Sequence, residues 1–118
     1  MDLNLLKNDL RSFARERDWD QFHSPKNLCM AIESEAGELV EVFQWLKEEE
    51  SMLNNISPAV LNDAKEEIAD IFIYLIRLSD KLDIDIENAV NDKLKLNEIK
   101  YPVGLSKGNA LKYNKRNG

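Results

Sequence analysis

Two pairs of acidic residues stand at spacings suited to metal chemistry: Glu35 with Glu38, and Glu67 with Asp70. On a helix, residues three apart share a face. If two such helices pack face to face, four carboxylates converge. Four like charges in a low-dielectric cleft repel, so some take up protons or a cation sits among them. Carboxylate oxygens are hard ligands, suited to Mg2+, with Mn2+ as the alternative. A Mg2+ site keeps positions for water and phosphate oxygens. That combination suits hydrolysis of a phosphoanhydride, in which the metal neutralises phosphates and activates a water. The plain alternative is a pair of solvated acidic faces, common in a chain that is 32% charged.

The phase of the pairs separates these readings. At about 100° per residue, Leu28, Ile32, Leu39, Val42, Phe43 and Leu46 fall in one apolar stripe that should meet a core. Glu35 falls in the middle of that stripe and Glu38 on its edge, while Glu33 and Glu41 fall opposite. A carboxylate aimed at a core is costly unless it is paired or protonated. Further on, the run Ile68 to Ile76 (IADIFIYLI) carries one charge, Asp70, and is apolar around nearly the whole helix. Asp70 is expected to face a packed surface, with Glu67 and Tyr74 on the same side. Glu35 and Glu38 are the candidate general bases. A di-iron bundle needs Glu-x-x-His pairs on two helices, and the chain has a single histidine, His23.

Other groups could serve a phosphate or a base. Lys93, Asn97 and Lys100 follow one side of a helix at i, i+4, i+7, as candidates for phosphate or sugar. Each lysine alone reads as a snorkelling side chain. Trp19, Trp45 and Tyr74 could stack on a base, with ordinary packing as the alternative. His23, with no nucleophile near it in sequence, reads as a polar contact or loop tie. Cys29 reads as a small packed residue.

These residues need helices to position them. Asp2 is a plausible N-cap, and Leu3, Leu6, Leu10 and Phe13 recur at helical spacing up to about Arg17. A polar stretch from Glu16 to His23 breaks the pattern. Ser24-Pro25 and Ser57-Pro58 repeat one start signal, a serine cap followed by proline at the first helical position. They open helices running to about Leu46 and Leu82, joined by an acidic, Asn-rich loop from Lys47 to Ile56. Asp83 or Asp85 caps a fourth helix from Ile86 to Lys100, ahead of Pro102. The expected fold is an all-α four-helix bundle over residues 1–102, followed by a basic tail, 103–118.

The chain has 118 residues and a net charge of −6, from 22 acidic and 16 basic side chains, which argues against gripping a nucleic acid polymer. A lone cysteine excludes an intrachain disulfide and fits a reducing compartment. The first residues lack the pattern of a signal peptide. No apolar run approaches the ~20 residues of a membrane span. A cytoplasmic location with no membrane partner is the expectation.

The segments RDWDQFHSPKNL, ESEAGELVEVFQW, KEEIADIFIYL and KLKLNEIKYPVGLSKGNALKY resemble the all-α nucleoside triphosphate pyrophosphohydrolases of the MazG-like group, and within it the dCTP pyrophosphatase branch. The resemblance runs from about Arg17 to Tyr113. The group's E-x-x-E and E-x-x-D pairs match Glu35, Glu38, Glu67 and Asp70, and the two pairs in order with RDW, FQW and YPV are specific. The resemblance implies Mg2+-dependent cleavage between the α and β phosphates of a nucleoside triphosphate, a house-cleaning activity, with those four residues holding the metal. It implies substrate contacts from Trp19, His23, Trp45, Tyr74, Lys93, Asn97 and Lys100, with Lys107 and Tyr113 in the tail. It also implies a homotetramer, a dimer of dimers, with sites between chains. Leu10 stands where animal members of the branch carry a histidine near the base pocket. That leaves dCTP as first choice, ahead of dATP or a modified cytosine nucleotide. The alternative to an enzyme is a non-catalytic bundle that binds a partner or senses nucleotide.

Overall fold

The computed structural model describes residues 1–111, and all its regular structure there is helical. Helix α1 spans Leu3–Glu16 and is capped by Asp2, whose carboxylate accepts from the Leu5 N–H at 3.0 Å. Helix α2, Pro25–Phe43, and helix α3, Pro58–Lys81, start in the same way. In each, the serine hydroxyl accepts from a backbone N–H three residues on at 3.2 Å, Ser24 from Asn27 and Ser57 from Val60. Helix α4, Ile86–Lys100, is capped by Asp85, which accepts from Asn88 at 3.1 Å. Asp83 has φ +54°, the left-handed turn that ends the preceding segment. A short helix α5, Val103–Ser106, opens the segment after Pro102.

The loops gain local order of their own. A 3-10 turn at Asp20–Phe22 follows Asp18, whose φ is +55°. The Gln21 side-chain amide holds that turn, donating through Nε2 to the Asp18 carbonyl and carboxylate, both at 3.0 Å. A second 3-10 turn, Glu48–Ser51, is closed by the Glu50 carboxylate accepting from the Lys47 N–H at 2.8 Å.

The chain divides into two compact units between Asp83 and Ile84. The break comes before α4. In the first unit α3 packs most extensively on α2 and also on α1. Its buried apolar residues are Ala14, Leu28, Ala64 and Ile76. Two of these are alanines, and a small side chain lets neighbouring backbones approach closely.

Two expectations change here. The Ile68–Ile76 stretch is not covered on all sides within the chain: Ile76 is buried, but Ile68 is 56% exposed, and Phe72 and Leu75 are also open. Cys29 is exposed on α2 rather than packed. Both follow from α2 and α3 meeting along one face each and leaving the opposite faces uncovered.

Candidate functional site

Where α2 and α3 meet, Glu35, Glu38 and Glu67 converge, each offering a carboxylate oxygen within 4.8 Å of the others. Glu35 and Glu67 are half-buried and Glu38 is exposed, the order the helical phase predicts for the α2 pair. The Oε2 atoms of Glu35 and Glu67 are buried and have no hydrogen-bond partner among the described residues. Two ionised carboxylates have no proton to offer each other, so the contact is satisfied only by a proton or a cation. The Glu35 carboxyl is accordingly pushed up to about 7, first by the proton it would share with Glu67, then by desolvation, then by Glu38. In Glu67 the contact with Glu35 pulls the carboxyl down, but desolvation and the charges of Glu38 and Asp70 outweigh it and the net shift is upward.

The donor set fits a hard divalent cation. It is all oxygen, carries excess negative charge, and includes two buried oxygens that nothing among the described residues satisfies. An open groove of about 400 Å³ continues from it, adding Glu41, Asp63 and Glu66 to Glu38 and Glu67. Asp70 is not one of the three gathered acids. It is exposed in the chain, not packed as its sequence neighbours suggest, and it lines an adjoining cavity instead.

That cavity, of about 240 Å³, lies between α1, the Asp20–Phe22 turn and α3. Phe13 and Trp19 form one wall, edge to face, with ring centroids 5.8 Å apart. The Arg17 guanidinium covers the Phe13 ring at 3.6 Å. His23, Asp70 and Tyr74 complete the polar lining, and Leu10 lies among the apolar residues. Burial raises the Tyr74 phenol's pKa, and the charges of Glu35 and Asp70 add to it. Tyr74 is thus within electrostatic reach of the acidic cluster, so the aromatic cavity and the acids adjoin along α3.

One turn beyond Tyr74, Arg77 is only 3% exposed. Its Nη2 donates to Asp20 Oδ1 at 2.9 Å, and its Nε and Nη2 both lie 3.3 Å from His23 Nδ1. Lys81 Nζ donates to the same Asp20 oxygen at 2.6 Å. Asp80 faces Arg11, whose Nε donates to Oδ2 at 2.6 Å. Burial lowers the His23 pKa, and the positive charges of Arg77 and Lys81 lower it further against the pull of Asp20. Hydrogen bonds from Lys81 and Arg77 hold Asp20 low, and those from Arg11 hold Asp80 low.

Trp45 lies past the end of α2, 88% exposed. Lys93 and Asn97 line an open groove along α4 with Val90 and Leu94, within the second unit. Lys100 ends α4, and Lys107 caps α5. Tyr113 lies outside the described residues. The sequence reading missed Arg77, Asp20 and the wall formed by Phe13. For Arg77 a signal was present: Glu67, Asp70, Tyr74 and Arg77 recur at i, i+3, i+7 and i+10 on one face of α3.

The model of the MazG-like family matches residues 30–115. The dCTP pyrophosphatase 1 of Bos taurus is 46% identical over 101 residues, covering 86% of this chain and 60% of that protein. The Homo sapiens protein of the same name is 41% identical, covering 86% of this chain and 59% of its own length. The chain therefore spans about 60% of the length of these curated relatives. The crystal structure of a pyrophosphatase from Archaeoglobus fulgidus superposes with a TM-score of 0.78 at 37% identity, covering 86% of this chain and 94% of that one.

Proposed function

The chain belongs to the MazG-like family, and from that premise we propose that it is a nucleoside triphosphate pyrophosphohydrolase. It cleaves the α–β phosphoanhydride of dCTP or a related nucleotide, releasing a monophosphate and pyrophosphate. The observation that carries this reading is the convergence of Glu35, Glu38 and Glu67, with two buried unpartnered oxygens, beside an aromatic cavity. The names of its relatives support the substrate.

Glu35, Glu38 and Glu67 would hold Mg2+, with Asp70 closing the set from the adjoining wall. When bound, the cation neutralises phosphate charge and lowers the pKa of a water. Glu35 or Glu38 takes the proton of the attacking water. Trp19 and Tyr74 stack on or flank the base, and His23 offers it a hydrogen bond. Lys93, Asn97 and Lys100, with Lys107 and Tyr113, are assigned to the phosphates or sugar on the strength of their spacing and the resemblance.

A homo-oligomer, a dimer of dimers, is part of the proposal. Its support is apolar surface that a single chain leaves open, including Met30 at 64%, Val40 at 60% and Trp45 at 88% exposure. A second copy covering these faces would turn Trp45 from an exposed ring into a residue between chains. The activity is assigned to the cytoplasm, in keeping with a chain that carries one unpaired cysteine; no described helix is long and apolar enough to cross a membrane.

The test is incubation with each dNTP and NTP in Mg2+, resolving the products. Monophosphate plus pyrophosphate is expected, with dCTP preferred. Stepwise release of single phosphates, or no turnover at all, would defeat the reading. Glu38→Gln should slow the reaction by about a hundredfold or more.

A further inference from the structure

The one buried arginine of the first unit is turned toward a histidine rather than toward the acidic cluster. Both guanidinium nitrogens that approach His23, Nε and Nη2, meet the same ring atom, Nδ1, at 3.3 Å. A guanidinium has donors and no acceptor. The ring nitrogen facing it must therefore be the bare one, and the imidazole proton must sit on Nε2. Asp20 fixes the guanidinium in that orientation, accepting from Nη2 at 2.9 Å, while Arg77 itself is 3% exposed. His23 and Arg77 both line the aromatic cavity.

We propose that Arg77 is a positioning residue for substrate selection: it locks His23 in the neutral tautomer protonated at Nε2, so that the cavity wall presents a donor and selects a base edge that carries an acceptor. A carbonyl oxygen or a pyridine-type ring nitrogen, as on cytosine, meets that demand. An amino group at the same place would set two donors against each other in a half-buried site, an expensive mismatch. Arg77 acts through His23 and not on the phosphates. This inference rests on the pyrophosphohydrolase reading for its substrate but not for its geometry.

The chain contains a single histidine, so its ring nitrogens can be read without assignment in a long-range proton–nitrogen NMR spectrum. At neutral pH the full-length wild type should show Nδ1 unprotonated and Nε2 protonated. Arg77→Met should give an averaged mixture of tautomers, and Arg77→Lys, which keeps a donor, should restore part of the wild-type pattern. A proton on Nδ1 in the wild type, or on both nitrogens, overturns the proposal. So does a folded Arg77→Met whose ring signals are unchanged. If Arg77→Met does not fold, the wild-type spectrum alone decides the tautomer and Arg77→Lys decides its cause. In turnover assays with dCTP, Arg77→Lys should raise KM about tenfold, the worth of one hydrogen bond, with kcat within about twofold. A fall in kcat at unchanged KM would remove Arg77 from substrate selection. A wild type that turns over no nucleotide overturns the enzyme reading, while the spectrum still decides whether Arg77 sets the tautomer.

Discussion

The two halves of α3 treat charge in opposite ways. Toward its middle, Glu67 faces Glu35 and Glu38, and among the described residues two of their buried oxygens have no partner. Toward its end, Arg77, Asp80 and Lys81 are matched by Asp20 and Arg11 across the loop and α1. The second region is closed: its charges satisfy one another and tie the Asp20–Phe22 turn and α1 to α3. The first is left wanting a positive charge from outside. The acids are neutralised at one end of the helix and left unmatched at the other, where the proposed cation would sit. The aromatic cavity lies between, with Asp70 at one side and Arg77 at the other.

The sharpest way to break this contrast is to supply or remove the missing charge. Mg2+ should raise the melting temperature of the wild type, because it binds the folded chain and not the unfolded one. Glu35→Gln should abolish most of that rise. In EDTA the same variant should melt higher than wild type, since one of three repelling carboxylates is gone. A variant that melts lower in EDTA would mean that the acids are already satisfied within the chain.

The pH dependence of stability should carry opposite signs in the two regions. Glu35 holds its proton more tightly folded than unfolded, with its carboxyl raised from 4.5 to about 7. Between those values the folded state binds more protons, so in EDTA this group's contribution falls as pH rises from about 4.5 to about 7. Mg2+ should remove that decline by standing in for the proton. Asp80 is depressed when folded, first by its hydrogen bond from Arg11. Its contribution is fully present above the unfolded value of about 3.9, and is lost as pH falls through the lower folded one. Asp80→Asn should therefore flatten the acid limb of the stability profile and leave the neutral limb intact. Urea titrations at several pH values, with and without EDTA, separate the two.

The sequence carries these regions unequally, for a physical reason. Helix starts are local: Ser24-Pro25, Ser57-Pro58 and Asp85 each cap a helix where the residue types demand it. Glu35 is legible because one acid in an apolar stripe breaks a local period. The Arg77 network is not local. Asp20 and His23 lie 57 and 54 residues from their partner, and their pairing depends on how a loop returns to α3. Apolar content also misleads where one face of a helix stays open. The Ile68–Ile76 run predicts burial on every side, yet Ile68 is more than half exposed. Asp70 follows the same pattern: its sequence neighbours announce a packed surface, and the cavity wall is where it stands.

The smallest expected effect comes from the cavity that separates the two regions. Leu10 is half-buried in its wall, at the place where the resemblance implies a histidine in other members of the branch. Leu10→His exchanges an apolar contact for an imidazole that can meet the base edge. Stability should fall by about 1 kcal/mol, the usual cost of placing a polar group in a partly buried apolar position. Because the residue lies on α1, in the cavity wall and not among Glu35, Glu38 and Glu67, kcat should stay within about twofold. The ratio of kcat/KM between dCTP and the other dNTPs should shift by less than about tenfold, the range one added hydrogen bond can supply. A change in kcat as large as that of Glu38→Gln would show that the cavity and the acidic cluster are one device rather than two neighbours.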